Sequence, residues 1–528
     1  MKSLMKKVFA AAAAIATVFG LAATTVATAN AADNATLTVS TTDAKFAGKT
    51  VNAYKMFSAT VSGDGKAVSY TLTDEWKPFF KNSVGLTGVT DENVNDKAND
   101  YVSKLKDSTL VAFATKASNW AQTKANNITA DATATVSADA SNGKYTATFT
   151  GLGYGYYVVA VPGATLANAK SQYATLVSVH STKVDADIKG DLPTVDKKVQ
   201  VDGTGKDATD AKIGDTLTFT LTSTIPDMSA YDTYTFNFKD TLSKGLTFGQ
   251  VKSVKVENVT LTENTDYTVT TPTASNNNTL TVAMKDFKTK QQANAGKKIT
   301  VTYTATLNKD AVVGGAGNVN SAKIQYSNNP STNGTGESEP SKVRVFTYGF
   351  TVDKYTGDQY TDAATRLAGA EFTLAHKDGS AISFVQVSAG SATANAVYRV
   401  AKAGETGTTT ITTPANGKVV FEGLKNGEYT LTETKAPAGY NKLASAIGVK
   451  VNGQNNGTDT TNATVTITYN NDNGNDYNQT ASNGVIPVQN KSGAILPGTG
   501  GMGTIAFTVI GVLVIALGVA WTLKRKNA

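Results

Sequence analysis

Ile299-Thr300-Val301-Thr302-Tyr303-Thr304-Ala305-Thr306-Leu307 decides the fold class. Apolar and hydroxyl side chains alternate strictly over nine positions, the period of a strand with one buried face. Leu217, Phe219 and Leu221 alternate with threonine in the same way, as do Val465, Ile467 and Tyr469. β-branched threonine on the outer face favours the extended backbone. Glycine and asparagine punctuate these runs as turns. The chain therefore reads as all-β, a series of tandem Ig-like β-sandwiches. A helical exception is expected near Asn99–Lys124, where Tyr101, Leu105, Leu110, Phe113 and Ala114 have helix-compatible spacing.

Two repeats set the domain boundaries. Thr194-Val195-Asp196-Lys197 recurs as Thr351-Val352-Asp353-Lys354, each opening a strand pattern. Gly151-Leu152-x-x-Gly155-x-Tyr157 recurs as Gly423-Leu424-x-x-Gly427-x-Tyr429, late in its unit. With 528 residues the chain is too long for one domain. We read an N-terminal domain over 32–190, a middle sandwich over 191–343 and a C-terminal sandwich over 344–495.

The termini read as targeting segments. Lys2, Lys6 and Lys7 precede the uncharged run Val8–Ala23, and Ala29-Asn30-Ala31 supplies small residues for signal peptidase, with the cut expected between Ala31 and Ala32. At the other end stands Leu496-Pro497-Gly498-Thr499-Gly500. An apolar stretch from Met502 to Leu523 follows, long enough to be expected as a transmembrane helix, and then Lys524-Arg525-Lys526. The six basic residues in these two segments account for most of the formal net charge of +7, so the body is nearly neutral and nothing suggests a nucleic-acid partner. The chain has no cysteine, so disulfides do not staple it.

The C-terminal tripartite tail resembles the LPXTG-type cell-wall sorting signal of Gram-positive surface proteins. That resemblance implies that a sortase cysteine attacks the Thr499 carbonyl, cuts the Thr499–Gly500 bond and passes the chain to an amine. It also implies a surface location, covalently on the cell wall, after a transient membrane-held stage.

Tyr429-Thr430-Leu431-Thr432-Glu433-Thr434-Lys435-Ala436-Pro437-Ala438-Gly439-Tyr440 resembles the E-box of Gram-positive pilins at every fixed position. Leu367-Ala368-Gly369-Ala370-Glu371-Phe372 is similar to a strand of collagen-adhesin B-type (CnaB) sandwiches. The resemblance, to CnaA/CnaB-like domains of sortase-assembled backbone pilins, implies an intramolecular isopeptide bond between a first-strand lysine and a last-strand asparagine, promoted by an acid. Strand parity supplies candidates. Phe350, Val352 and Lys354 share a face, as do Tyr429, Leu431 and Glu433, and Ile486, Val488 and Asn490. Burial would favour the neutral, nucleophilic amine of Lys354 and a protonated Glu433. In the middle sandwich Val195, Lys197 and Val199 share a face, which selects Lys197 over Lys198. Asp240 continues the face of Tyr234, Phe236 and Phe238. Asn320 lies with Ala322 and Ile324, and Asn318 has the same parity. In the N-terminal domain the repeat places Val161 where Glu433 stands, so no such bond is expected there.

A backbone pilin also needs a lysine to resolve the thioester of the next subunit. The family pattern Val-x-Val-Tyr-Pro-Lys-Asn corresponds here to Val184-Asp185-Ala186-Asp187-Ile188-Lys189-Gly190, which keeps the valine and Lys189 but lacks the Tyr-Pro and the asparagine. Lys183 and Lys198 are the rivals. The expected partners are therefore sortases (pilus-specific and housekeeping), further copies of this chain in a covalent homopolymer, ancillary pilins and peptidoglycan, with a host glycan or matrix ligand open. A monomeric wall-anchored adhesin is the alternative. No catalytic triad, phosphate loop, cofactor motif or metal cluster is visible, and His180 and His376 read as ordinary strand or surface residues, so an enzyme with turnover is not expected.

Overall fold

The computed structural model describes residues 34–63, 66–164, 174–329, 333–358, 362–454, 463–470, 477–493 and 502–526. The signal segment with its Ala31–Ala32 junction, and the pentapeptide from Leu496 to Gly500, lie outside these residues. The chain forms two compact units, one of Met1–Thr347 with Gly453–Thr464 and one of Tyr348–Asn452 with Val465–Ala528.

In the first unit, residues 35–187 build a three-stranded and a five-stranded sheet, and residues 196–346 a six-stranded and a seven-stranded sheet. In the second, residues 348–489 build a five-stranded and a six-stranded sheet. The decisive alternation becomes strand Lys298–Leu307, with Ile299, Val301, Tyr303, Ala305 and Leu307 all fully buried. Its outward threonines pair across to Thr216–Thr224, where Thr216 and Thr306 hydroxyls lie 2.9 Å apart. Inward apolar burial and outward hydroxyl ladders thus both fix the register.

The Gly-Leu-x-x-Gly-x-Tyr repeat produces the same hairpin twice. Gly151 and Gly423 have φ of 73° and 84°, a region that favours glycine. The Tyr157 hydroxyl then donates to the Gly153 carbonyl at 2.6 Å, and that of Tyr429 to the Lys425 carbonyl at 2.7 Å.

The helical exception is larger than expected and broken. Helices span Lys77–Asn82, Val94–Ser103 and Asp107–Gln122. Phe79, Phe80, Val102, Phe113 and Ala117 form their buried face, while Tyr101 and Leu105 stay half-buried. The segment following Gly190 is packed into the core of the first unit. One apolar cluster runs from Leu37 and Val39 through Leu192 to Phe219 and Val345. Lys45 forms ion pairs with Asp43 and Asp191 across it.

Met502–Lys526 is helical. Among the described residues, no helix is long and apolar enough to cross a membrane. The span expected from Met502 to Leu523 is therefore left without structural support.

Candidate functional site

Two buried lysine–acid–asparagine clusters stand out, one in each unit. In the second unit, strand Tyr348–Tyr355 runs parallel to the last strand, Val485–Gln489, with Lys354 opposite Val488. The inward parity that buries Phe350 and Val352 also buries Lys354, whose side chain has no exposure. Its Nζ lies 3.2 Å from Glu433 Oε1 and donates to the Val488 carbonyl at 3.3 Å. The Phe372 ring sits 5.9 Å below it. Burial outweighs the nearby carboxylate and pulls the Lys354 pKa down to about 8.

Asn490 follows the last strand and is 1 % exposed. Its Nδ2 donates to Glu433 Oε2 at 3.0 Å and to the Asn441 carbonyl at 2.9 Å. The Leu443 N–H donates to the same Glu433 oxygen at 2.7 Å. The chain just after Tyr440 thus holds both the acid and the amide, a contribution from backbone atoms that no residue-type pattern reveals.

In the first unit, Lys197 on strand Asp196–Val201 is fully buried and forms an ion pair with Asp240. Rings of Phe219 and Tyr303 lie 5.0 and 5.1 Å from its Nζ. Burial holds the Lys197 pKa below the ordinary lysine value, against the opposing pull of Asp240. The Tyr303 hydroxyl donates to Asp240 Oδ2 at 2.7 Å and accepts from Lys197 Nζ at 2.9 Å and from Asn320 Nδ2 at 2.6 Å. Asn318 is also buried, but its amide binds the Val312 N–H and the Val312 and Val345 carbonyls, closing a loop away from Lys197. Asn320, not Asn318, therefore joins the cluster. Tyr303 was missed by sequence reading because it fills an apolar parity position. The available signal was a hydroxyl on a fully buried strand face, where a tyrosine O–H needs a partner.

Among the described residues, the asparagine Oδ1 of each cluster is buried without a hydrogen-bond partner.

Residues 35–187 repeat the second unit's strand scheme without the chemistry. Ala35 pairs with Leu152 and Tyr348 with Leu424, each followed by a bulge. Leu37 then stands opposite Phe149 as Phe350 stands opposite Phe421. Both first strands run parallel to a last strand, Lys183–Asp187 in one and Val485–Gln489 in the other. Counting along these registers, Thr41 occupies the place of Lys354, Val161 that of Glu433 and Gly190 that of Asn490.

Lys189 lies just beyond strand Lys183–Asp187, with its side chain 30 % exposed and its Nζ 3.4 Å from Asp187 Oδ2. Of its rivals, Lys183 is exposed, and Lys198 is tied to Asp207 at 2.5 Å and Asp196 at 3.3 Å. Lys189 is thus only partly open to solvent. His180 Nδ1 lies 3.0 Å from Ser178 Oγ, and His376 packs against the Tyr429 ring. Among the described residues, no group of three or more His, Cys, Asp or Glu could hold a metal ion.

Two stretches match known families. Residues 213–330 match the Gram-positive pilin backbone subunit 2, Cna-B-like domain, and residues 358–466 match the SpaA prealbumin-like fold domain. The trypsin-resistant surface T6 protein of Streptococcus pyogenes serotype M6 is 26 % identical over 279 residues, 48 % of this chain and 44 % of that protein. The chain therefore matches less than half the length of that relative. Among solved structures, the T6 backbone pilin of serotype M6 Streptococcus pyogenes is 18 % identical with a TM-score of 0.46, covering 87 % of this chain and 99 % of that one. The full-length major pilin SpaD of Corynebacterium diphtheriae is 19 % identical with a TM-score of 0.38, covering 88 % and 98 %.

Proposed function

We propose that this chain is the polymerising shaft subunit of a sortase-assembled pilus on a Gram-positive cell surface, with intramolecular lysine–asparagine bonds locking its two downstream sandwiches. The observation that carries this reading is the recurrence of one cluster: a buried lysine on a first strand, an acid within reach and a buried asparagine on or just after a later strand. The match of residues 213–330 to a pilin-backbone domain supports it. A lone buried ion pair is poor value as a stabilising device, since desolvation offsets its attraction. Two such pairs, each beside a buried carboxamide, make chemical sense as reactants.

The chemistry follows from the Lys354 cluster. The ammonium passes a proton to Glu433, and the neutral amine attacks Asn490 Cγ. Glu433 Oε2, already on Nδ2, gives its proton to that nitrogen. The C–Nδ2 bond breaks, one ammonia leaves, and Glu433 takes the surplus proton from the attacking nitrogen. The acid faces the leaving nitrogen and not the carbonyl oxygen, so its main task is protonating the leaving group.

This sequence fixes a pH dependence. Neutral amine plus protonated acid carries the same single proton as the ion pair, so the two forms interconvert without uptake or release. Above about 8, where Lys354 loses its proton, the pair has none left to hand on. Crosslinking of freshly synthesised chain should therefore slow as pH rises through about 8 to 10. A rate that keeps climbing over that range would mean that the free amine alone suffices and Glu433 is not the acid.

In the polymer, Lys189 of one subunit takes the Thr499 carbonyl of the next from sortase, and the pentapeptide Leu496–Gly500 is the cleavage site. The test is an immunoblot of muramidase-released wall material. A ladder of SDS-resistant multimers is expected. A single wall-linked band would favour a monomeric adhesin.

A further inference from the structure

The two clusters reach the leaving nitrogen by different routes. Glu433 touches Asn490 Nδ2 directly at 3.0 Å. Asp240 is one methylene shorter, about 1.5 Å of reach, and among the described residues no hydrogen bond joins it to Asn320. Its Oδ1 has no hydrogen-bond partner, and its Oδ2 is held by Lys197 and Tyr303. The Tyr303 hydroxyl fills the gap, bonded at once to the acid, the nucleophile and the leaving nitrogen. In the second unit the ring beside the lysine is Phe372, which has no hydroxyl to offer.

We propose that Tyr303 is a catalytic proton relay for the Lys197–Asn320 bond, compensating for the short reach of Asp240. This rests on the crosslinking reading above. Asp240 takes a proton from the Lys197 ammonium, and the amine attacks Asn320 Cγ. Tyr303 Oη gives its proton to Asn320 Nδ2 as it accepts one from Asp240. The C–Nδ2 bond breaks, ammonia departs, and Asp240 takes the surplus proton from the attacking nitrogen. Burial and the Asp240 charge hold the Tyr303 pKa well above the ordinary phenol value, so the hydroxyl acts by concerted transfer and does not stand as a tyrosinate.

The ring also has a structural role, stacked on Phe219 at 5.3 Å. Tyr303→Phe keeps that contact and deletes only the hydroxyl. The test follows the crosslinked Lys197–Asn320 peptide over time in full chain made by cell-free translation, with the Lys354–Asn490 peptide as internal control. Tyr303→Phe should slow the first bond on the order of 100-fold, the scale of general acid–base assistance, and leave the second unchanged. Adding Asp240→Glu to Tyr303→Phe should restore much of the rate, because the longer acid reaches Asn320 itself. A merely structural hydroxyl would not be rescued in this way. If Asp240→Ala abolishes the first bond while Tyr303→Phe forms it at the unsubstituted rate, the relay is overturned and the crosslink reading stands. If the unsubstituted chain forms no Lys197–Asn320 bond, both fall.

Discussion

The Glu433→Ala chain should unfold its last sandwich roughly 15–20 °C below the unsubstituted chain, and proteases should cut it there. The magnitude follows from loop closure. A covalent tie between Lys354 and Asn490 closes nearly the whole domain, and cross-linking a loop of that size stabilises by roughly 5 kcal/mol, worth a few degrees each in a domain this large. Without the acid the tie does not form, and Lys354 is also left buried beside no carboxylate, which adds to the loss. The mechanical effect is larger still. Ladder hydrogen bonds contribute only modestly one by one, so an untied sandwich pulled at its ends unravels strand by strand. In residues 348–489 the tie joins the first strand to the end of the last, so force bypasses that fold. In residues 196–346 the last-strand asparagine expected from sequence is corrected: Asn320 lies on strand Asn318–Ser327, and strand Ser341–Phe346 follows it. Single-molecule pulling between Lys189 and the C-terminal end should find the tied loops 197–320 and 354–490 inextensible, and Lys354→Ala should make only the latter extend. Unravelling of both in the unsubstituted chain at ordinary sandwich forces would refute the load-bearing role of the ties.

Substituting Lys189→Ala should collapse the multimer ladder to a single wall-linked species. The argument combines placement and competition. Residues 35–190 repeat the strand scheme of the second unit but carry Thr41, Val161 and Gly190 where Lys354, Glu433 and Asn490 stand, so no bond of its own is expected of this segment. Lys189 follows strand Lys183–Asp187 beside Gly190, and among the described residues its amine is held by the weak 3.4 Å contact to Asp187. Lys198 is doubly paired with acids. A ladder that survives Lys189→Ala and disappears in Lys183→Ala would move the linkage to the neighbouring strand residue. Deleting Leu496–Gly500 should have a different outcome: neither ladder nor wall-linked monomer, with the protein secreted or left at the membrane.

Parity made most of the two lysine–acid–asparagine clusters legible. Lys197 differs from Lys198 only in which face of the strand it takes, and the alternation of Val195 and Val199 assigns the buried face to it. The same argument places Asp240 after Phe238 and Asn490 after Val488. Parity cannot separate Asn318 from Asn320, since both point inward. What separates them is the third dimension, where Gly245 and Val312 close around Asn318. Nor can it see the carbonyl of Asn441 or the N–H of Leu443, because every residue has these atoms. Tyr303 was hidden by its own ring, which satisfies the apolar pattern while its hydroxyl serves the site. The helical exception expected near 99–124 is present, but as two helices, Val94–Ser103 and Asp107–Gln122, the second burying Phe113 and Ala114. Tyr101 and Leu105 do pack against the apolar cluster, half-buried, while Val102, which spacing did not single out, is the fully buried neighbour, and the chain breaks before Asp107.

Intact mass of the purified, unsubstituted chain tests the central claim most directly, because each lysine–asparagine bond expels one ammonia and nothing else. The account predicts a mass short by two ammonia molecules. One should be regained in Glu433→Ala and the other in Asp240→Ala, and peptide mapping should find Lys354 joined to Asn490 and Lys197 joined to Asn320. A mass equal to that of the uncrosslinked sequence would contradict it.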